Sequence, residues 1–304
     1  MSRSRFVAVW LPAIRPRTLP LACGAILLAA GLAFQHGVFD GLILTLCLTT
    51  AILLQVISNL ANDYGDAVTG ADNEARIGPQ RVMQAGLVTA KQMQQAIGFT
   101  SVLTIISGLL LLYVAFASNW WSLLGFVLLG AVAMLAAVTY TMGKTPYGYR
   151  GYGDISVFIF FGLVAVLGSF YLYGQFLQWL LLLPAIGCGC LATAVLNINN
   201  TRDMVTDKQA GKMTLALKLG RNNACKYQYA LLFAAVGSST LYLQQWPFQW
   251  WHYSFLVALI PLLQAAHSLT ITKDGERLNA ALKQTALASF VYSCLFALVV
   301  ANLA

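Results

Sequence analysis

Charge is what this sequence has least of. Only 9% of its 304 residues are Asp, Glu, Lys or Arg, against roughly 25% in an average soluble domain, and its mean hydropathy is +0.72. A globule of this size could not clothe its surface in polar groups, which excludes a soluble enzyme. A disordered chain needs low hydrophobicity and high charge, so disorder is excluded too. Histidine is scarce: His36, His252 and His267 are the whole complement. The six cysteines (Cys23, Cys47, Cys188, Cys190, Cys225, Cys294) sit mostly in apolar runs. Cys188-Gly-Cys190 has no further Cys or His nearby, so no metal site is expected there. All six read as small buried hydrophobes in a reducing or lipid setting.

What is present is hydrophobic length. Apolar runs long enough to cross a bilayer fall near 18–35, 41–61, 96–116, 121–141, 155–173, 177–198, 227–245, 250–269 and 284–303. Helices are the open-chain way to satisfy backbone groups in lipid, and the alternation of a β-barrel is absent. The expected architecture is all-α and integral to the membrane, with nine transmembrane helices in a single domain over 1–304. At the N-terminus, Arg3 and Arg5 followed by Phe6 to Ile14 look like a weak signal peptide. Pro12, Arg15 and Arg17 interrupt it and no small-residue cleavage site follows, so it is expected to be retained.

The placement of the charges supports that count. With nine spans, all 18 Lys and Arg fall before span one or after spans two, four, six and eight. The positive-inside rule makes that side cytoplasmic and predicts an N-in, C-out topology. Six of the seven tryptophans (Trp120, Trp121, Trp179, Trp246, Trp250, Trp251) lie at the opposite interface, as an aromatic belt does. A net charge of +8 would point a soluble protein towards nucleic acid; here it reports orientation, and no nucleic-acid partner is expected. By this topology His36 and His252 face outside and His267 inside, which disfavours a hydrolytic triad. Nine of the ten acids share the basic face, with Asp40 alone on the other. Carboxylates contribute little to orientation, so something on the cytoplasmic face calls for both signs together.

Two acidic motifs answer to that. Span two ends in Asn59-Leu-Ala-Asn62-Asp63-Tyr64-Gly65-Asp66, then Asp72; span six ends in Asn197-Ile-Asn199-Asn200-Thr201-Arg202-Asp203, then Asp207. Asp66 and Asp203 are 137 positions apart, a shift of four helices, so both motifs meet the same membrane face. This predicts two four-helix pseudo-repeats plus one helix. If the helices continue, Asn62 and Asp66 share one face, and Asn199, Asp203 and Asp207 share another. Such hard oxygen ligands suit Mg²⁺, which binds through a few carboxylates plus substrate phosphates. Helix caps and solvated charges are the plainer reading of either motif alone; two copies with matched sidedness argue against it. Arg76 and Arg81 follow the first motif and Lys208 and Lys212 the second, as a metal-bridged diphosphate would require. No P-loop or dinucleotide fingerprint occurs, and no cofactor beyond Mg²⁺ is expected.

These residues carry a resemblance. N-D-Y-x-D ending span two, D-x-x-x-D followed by Gly211-Lys212, and nine helices together resemble the UbiA superfamily of intramembrane prenyltransferases. The stretches Asn59-LANDYGDAVTG with Arg76-IGPQR, Thr145-PYGYRGYGDISVFIFFG, Leu196-NINNTRDMVTDKQAGKMTLALKLG and Arg15-PRTLPLA are similar to the branch that prenylates 1,4-dihydroxy-2-naphthoate in menaquinone synthesis. The likeness covers nearly the whole chain. Many aromatic prenyltransferases carry a third acid where this chain has Gly70; Asp72 stands two residues later, as in the naphthoate branch.

The resemblance implies a bacterial-type inner-membrane enzyme with its site on the cytoplasmic face, taking a polyprenyl diphosphate and 1,4-dihydroxy-2-naphthoate and releasing CO₂. Its implied metal ligands are Asn62, Asp66, Asp72, Asn199, Asp203 and Asp207, and its implied catalytic acids Asp63, Asp66, Asp154, Asp203 and Asp207. Asn59, Arg76, Arg81, Lys144, Tyr147, Tyr149, Arg202, Lys208 and Lys212 form the expected substrate-binding set. The isoprenoid tail would lie in an apolar groove open to lipid. Tyr140, Tyr147, Tyr149 and Tyr152 either line the path of an allylic cation or belong to an interfacial tyrosine belt. Asp154 either accepts a phenol proton, orders Lys144 and Arg150, or caps span five. A repeat-built transporter is the rival class, disfavoured because the acids lie at one face and not mid-membrane; a membrane scaffold would not need paired Asn/Asp faces. Within the enzymes, 4-hydroxybenzoate or homogentisate is the alternative acceptor.

Overall fold

A computed structural model describes residues 3–70 and 77–303. The expected metal ligand Asp72 and the expected diphosphate contact Arg76 lie outside the described residues. Among the described residues every regular element is helical: α1 (Arg3–Ile14), α2 (Leu19–Gln35), α3 (Gly41–Val68), α4 (Ala90–Phe116), α5 (Trp120–Thr139), α6 (Gly153–Gly174), α7 (Trp179–Arg202), α8 (Met204–Gln209), α9 (Leu215–Leu219), α10 (Arg221–Leu243), α11 (Trp250–Ile271) and α12 (Gly275–Ala301). Side-chain caps set several of the starts. Asp40 accepts from the Leu42 and Ile43 amides at 2.7 and 3.1 Å, which gives the lone acid of its face a local role. Thr89 and Gln92 form a capping box on α4.

Eight stretches among the described residues are long and apolar enough to cross a membrane: Val7–Gln35, α3, α4, α5, α6, α7, α11 and α12. The long helix missing from that set is α10. It is diluted by Gln228, Ser238, Ser239 and Tyr242, which are buried; Ser238 and Ser239 lie against Gly187 of α7, Gln228 accepts from Asn197 Nδ2 of α7 at 2.8 Å, and Tyr242 Oη donates to Gln35 at the end of α2 at 2.7 Å. An inward-facing polar stripe lowers hydropathy without exposing polarity to lipid. The outward faces are apolar, as Leu124, Leu128, Val132 and Leu135 on α5 and Phe99, Val102, Ile106 and Leu110 on α4 illustrate. Exposure on this scale exceeds what a soluble surface carries. All six cysteines are free.

The helices form a bundle in which α12 lies along α2, and α7 packs on α6, α10 and α11 as α3 packs on α2, α4 and α5. Within α6, residues Phe158–Gly168 widen to a π-type turn, a form that recurs at functional sites. There α6 meets α7 backbone to backbone: a Cβ on Gly162 would stand 2.6 Å from Gly189 Cα and 2.7 Å from Ala185 O. At 28 residues, α3 is about 42 Å long at 1.5 Å per residue, longer than the ~30 Å hydrocarbon core. Its last turns, which carry the first acidic motif, therefore have length to run beyond the hydrocarbon.

Candidate active site

The first motif stays helical to Val68, so Asn62 and Asp66 share a face as their spacing requires. Gly65 brings this helix end against the segment after α5, where a Cβ would lie 2.4 Å from Thr141 O. Thr141 Oγ1 then donates to Asn62 Oδ1 at 2.9 Å and to Ala61 O at 3.0 Å. The second motif is not one unbroken helix: α7 ends at Arg202 and α8 begins at Met204. The register survives the break, because Asp203 N bonds to Asn199 O at 3.1 Å and Asp207 N to Asp203 O at 2.8 Å. Asn199, Asp203 and Asp207 all line one cavity, together with Asn59, Asn62, Asp63 and Asp66 from the first motif.

That cavity has a volume of about 790 Å³, within the range of small-molecule sites. Its polar end also holds Arg81, Tyr140, Tyr147, Tyr149, Arg202 and Lys212; Ala51 and Leu54 on α3, Leu111 on α4, Met134 on α5, and Phe160 and Val164 on α6 line the apolar remainder. The wall between α5 and α6 is pinned at its ends. Phe126 stacks on Tyr171 with ring centroids 5.6 Å apart, and Tyr147 Oη donates to Ala136 O at 3.0 Å.

Asp66 is the hub. Tyr149 Oη donates to its Oδ1 at 2.5 Å, Lys212 Nζ reaches the same oxygen at 2.8 Å, and Arg81 Nη2 lies 3.5 Å from Oδ2. Lys212 also sits 4.6 Å from the centroid of the Tyr149 ring. Asp203 is held by both Nε and Nη2 of Arg202, whose remaining donors reach Asn279 Oδ1 at 2.6 Å and Asn199 Oδ1 at 3.0 Å. Asp207 is buried, and that burial, reinforced by Asp203 and Asp66 and opposed by Lys212 and Arg202, pushes its carboxyl up to about 7. The Tyr140 hydroxyl stands beside the start of α6, where a Cβ on Gly153 would meet it at 2.6 Å.

The donor set fits a hard divalent cation only in part by itself. Among the described residues no three His, Cys, Asp or Glu side chains stand close enough to hold an ion. The facing Asn and Asp oxygens offer a few ligands from each side, with cations beside them. This is the arrangement that suits Mg²⁺ completed by substrate phosphates, and it does not suit a closed structural site.

Residues 21–299 match the UbiA prenyltransferase family. The chain belongs to that family. It is 45% identical over 95% of its length, and 94% of the relative's, to the 1,4-dihydroxy-2-naphthoate octaprenyltransferase of Escherichia coli (strain K12). It is 36% identical, with 94% of both chains covered, to the protein of the same name from Mycobacterium tuberculosis (strain ATCC 25618 / H37Rv). The fold matches that of a UbiA homolog from Aeropyrum pernix K1, with a TM-score of 0.69 at 13% identity over 90% of this chain and 96% of that one. A UbiA homolog from Archaeoglobus fulgidus, solved bound to GPP and Mg²⁺, matches with a TM-score of 0.59 at 17% identity over 93% of this chain and 98% of that one.

Within this UbiA fold the sequence-expected residues divide. Asn59, Asn62, Asp63, Asp66, Arg81, Tyr147, Tyr149, Asn199, Arg202, Asp203, Asp207 and Lys212 converge on the cavity. Lys144 and Lys208 are exposed and outside its lining. Asp154 is buried behind the lining, in the first turn of α6 after the cap residue Tyr152, and its Oδ2 makes no hydrogen bond. Asn59 is only 2% exposed, and its amide is spent on the chain before α2. The sequence motifs do not single out Arg17, Asn279 or Lys283, which also line the cavity. The i, i+4 spacing of Asn279 and Lys283 at the start of the last helix is the signal that could have found two of them.

Proposed function

We propose that this protein transfers a polyprenyl group from a polyprenyl diphosphate to 1,4-dihydroxy-2-naphthoate, with loss of CO₂, giving the demethylmenaquinone skeleton at the quinol level. The observation that carries the reading is the convergence of both Asn/Asp motifs at one end of a long apolar cavity, in a chain 45% identical to a naphthoate octaprenyltransferase. Asn62, Asp66, Asn199, Asp203 and Asp207 would hold Mg²⁺, with Asp72 in the same set. Bound Mg²⁺ neutralises the diphosphate so that it can leave. Arg81, Arg202 and Lys212, with Arg76, hold phosphate oxygens through charge-assisted hydrogen bonds. As the C1–O bond breaks, the faces of Tyr140, Tyr147 and Tyr149 stabilise the allylic cation, each by ~0.5–2 kcal/mol. The ring's electron pair forms the new C–C bond and the carboxylate departs as CO₂. Asp63 lines the cavity beside Asn62 and Asp66, and Asp154 lies buried behind that lining. The tail lies in the apolar cavity and passes towards lipid between α5 and α6. Lys144 and Lys208 contribute only to the positive field at the entrance.

The same reading takes the chain as one domain with nine crossings, α10 included, in an N-in, C-out topology of two four-helix repeats plus α12. The site then faces the cytoplasm of a bacterial-type inner membrane. Support comes from the confinement of every Lys and Arg to one set of connections. The test is purified protein in detergent with Mg²⁺ and a long prenyl diphosphate, offered 1,4-dihydroxy-2-naphthoate and 4-hydroxybenzoate in parallel. Product is expected from the naphthoate; product from 4-hydroxybenzoate alone would reassign the acceptor.

A further inference from the structure

Six cations line the cavity, and one of them, Arg15, is turned to Asn59 O. Arg81 and Lys212 are tied to Asp66 and Arg202 is tied to Asp203. Arg17, in the turn before α2, and Lys283, on α12, line the same cavity from other walls. Both are exposed and neither forms an ion pair among the described residues.

The turn that carries Arg17 is built and braced. Arg15 sits in the left-handed region at φ 56°, which is uncommon for a residue with a Cβ. Asn59 Nδ2 holds the turn from both ends, donating to Ile14 O at 2.7 Å and Thr18 Oγ1 at 3.0 Å, while Arg15 Nη2 reaches Asn59 O at 3.4 Å. The Asn59 amide is oriented in turn by Gln55, whose Nε2 donates to its Oδ1 at 3.1 Å. This turn packs against α12, the helix of Lys283. One turn before Lys283 on that helix is Asn279, which accepts from Arg202. Lys283 is thus one helical turn beyond the Arg202–Asp203 pair, away from the end where the acids gather.

A naphthoate acceptor is an anion, and its carboxylate must leave water to bring a ring carbon to the prenyl C1. A desolvated carboxylate requires a cationic or hydrogen-bonded partner. The cations beside Asp66 and Asp203 are already matched to acids, and in the prenyl-transfer reading, on which this inference rests, they serve the diphosphate. We infer that Arg17 and Lys283 form the seat of the acceptor's carboxylate, and that Asn59 is a positioning residue holding the turn of Arg17. The acceptor then enters against α2 and α12, and the diphosphate against α3 and the two connections that carry Tyr149, between α5 and α6, and Lys212, between α8 and α9. Specificity for a carboxylated ring follows, because a neutral phenol leaves both cations without a counter-charge.

The test is isothermal titration of the purified protein with 1-hydroxy-2-naphthoate, a carboxylate that cannot oxidise to a quinone, and with 1-naphthol, which lacks the carboxylate. A third titrant, an unreactive thiolodiphosphate analogue of geranyl diphosphate with Mg²⁺, reports the donor side. The wild-type protein should prefer the carboxylate by about tenfold or more, as a charge-assisted pair implies. Arg17→Gln and Lys283→Gln should each erase most of that preference while leaving affinity for the donor analogue unchanged. Lys283→Arg, which keeps the charge, should retain the preference, and Asn59→Ala should reduce it as Arg17→Gln does. Both main variants sit at exposed positions and leave no buried void. A wild-type protein that does not discriminate, an unchanged preference in both Gln variants, or a loss that falls on the donor analogue would each overturn the assignment. None of these outcomes bears on whether wild-type protein makes prenylated naphthoate, so the function itself fails or stands by the product assay.

Discussion

Lys212 Nζ lies 2.8 Å from Asp66 Oδ1 across 146 positions of sequence. The pair ties the cation that follows the second acidic motif to the last acid of the first, and Tyr149, from the segment between α5 and α6, donates to the same oxygen. Lys212→Ala should therefore lower kcat/KM for the prenyl diphosphate by roughly 10–100-fold, the scale of a lost charge-assisted contact. Steady-state rates with the donor varied and the acceptor saturating will show whether the loss falls on that substrate.

Arg202 is 5% exposed and joins Asp203, Asn199 and Asn279. Arg202→Ala leaves a largely buried carboxylate without its partner, a change that costs about 3–5 kcal/mol. Thermal unfolding in detergent should show a large drop. Arg202→Lys should recover little, because one ammonium cannot reproduce the forked contacts.

The α6–α7 seam predicts a contrast between two glycines. Gly162→Ala forces a methyl into the backbone of Gly189 and Ala185 and should destabilise the bundle by about 1–3 kcal/mol. Gly98→Ala, on the exposed side of α4 with nothing within 4 Å of its Cβ, should be neutral or stabilising by up to ~1 kcal/mol. Paired melting curves of the two variants check this.

Gly130 lines the apolar part of the cavity, and a Cβ added there would also meet nothing within 4 Å. Gly130→Phe should fold but fill the channel. It is expected to raise KM for a long-chain donor several-fold more than for geranyl diphosphate, which is measured by running both donors against the same variant. Equal effects on both would place the tail elsewhere.

Much of this was legible in one sequence. Apolar length exposed the membrane class, and the first motif's i, i+4 spacing carried directly into a helix that continues past Asp66. The break at Asp203 was not legible, because backbone bonds preserve the helical register on both sides of it. Asn59 has the look of a ligand contact because its neighbours do; only the fold shows its amide engaged with Ile14 and Thr18. The polar stripe of α10 lowers its hydropathy for a tertiary reason, the Asn197–Gln228 bond, that no local pattern records. Arg17, within Arg15-PRTLPLA, and Lys283 are brought to one cavity by the packing of the N-terminal turn on the last helix, a long-range contact that neither local pattern records.

In the proposed reaction the two acidic motifs act together on one metal-bound diphosphate. Binding of Mn²⁺, followed by its electron paramagnetic resonance signal with and without an unreactive prenyl diphosphate analogue, tests this most directly. Wild-type protein should bind the ion tightly only when the analogue is present, and Asp66→Ala and Asp203→Ala should each abolish that binding together with turnover. Metal binding and turnover that survive either substitution, or turnover that survives EDTA, would contradict joint action of the two motifs.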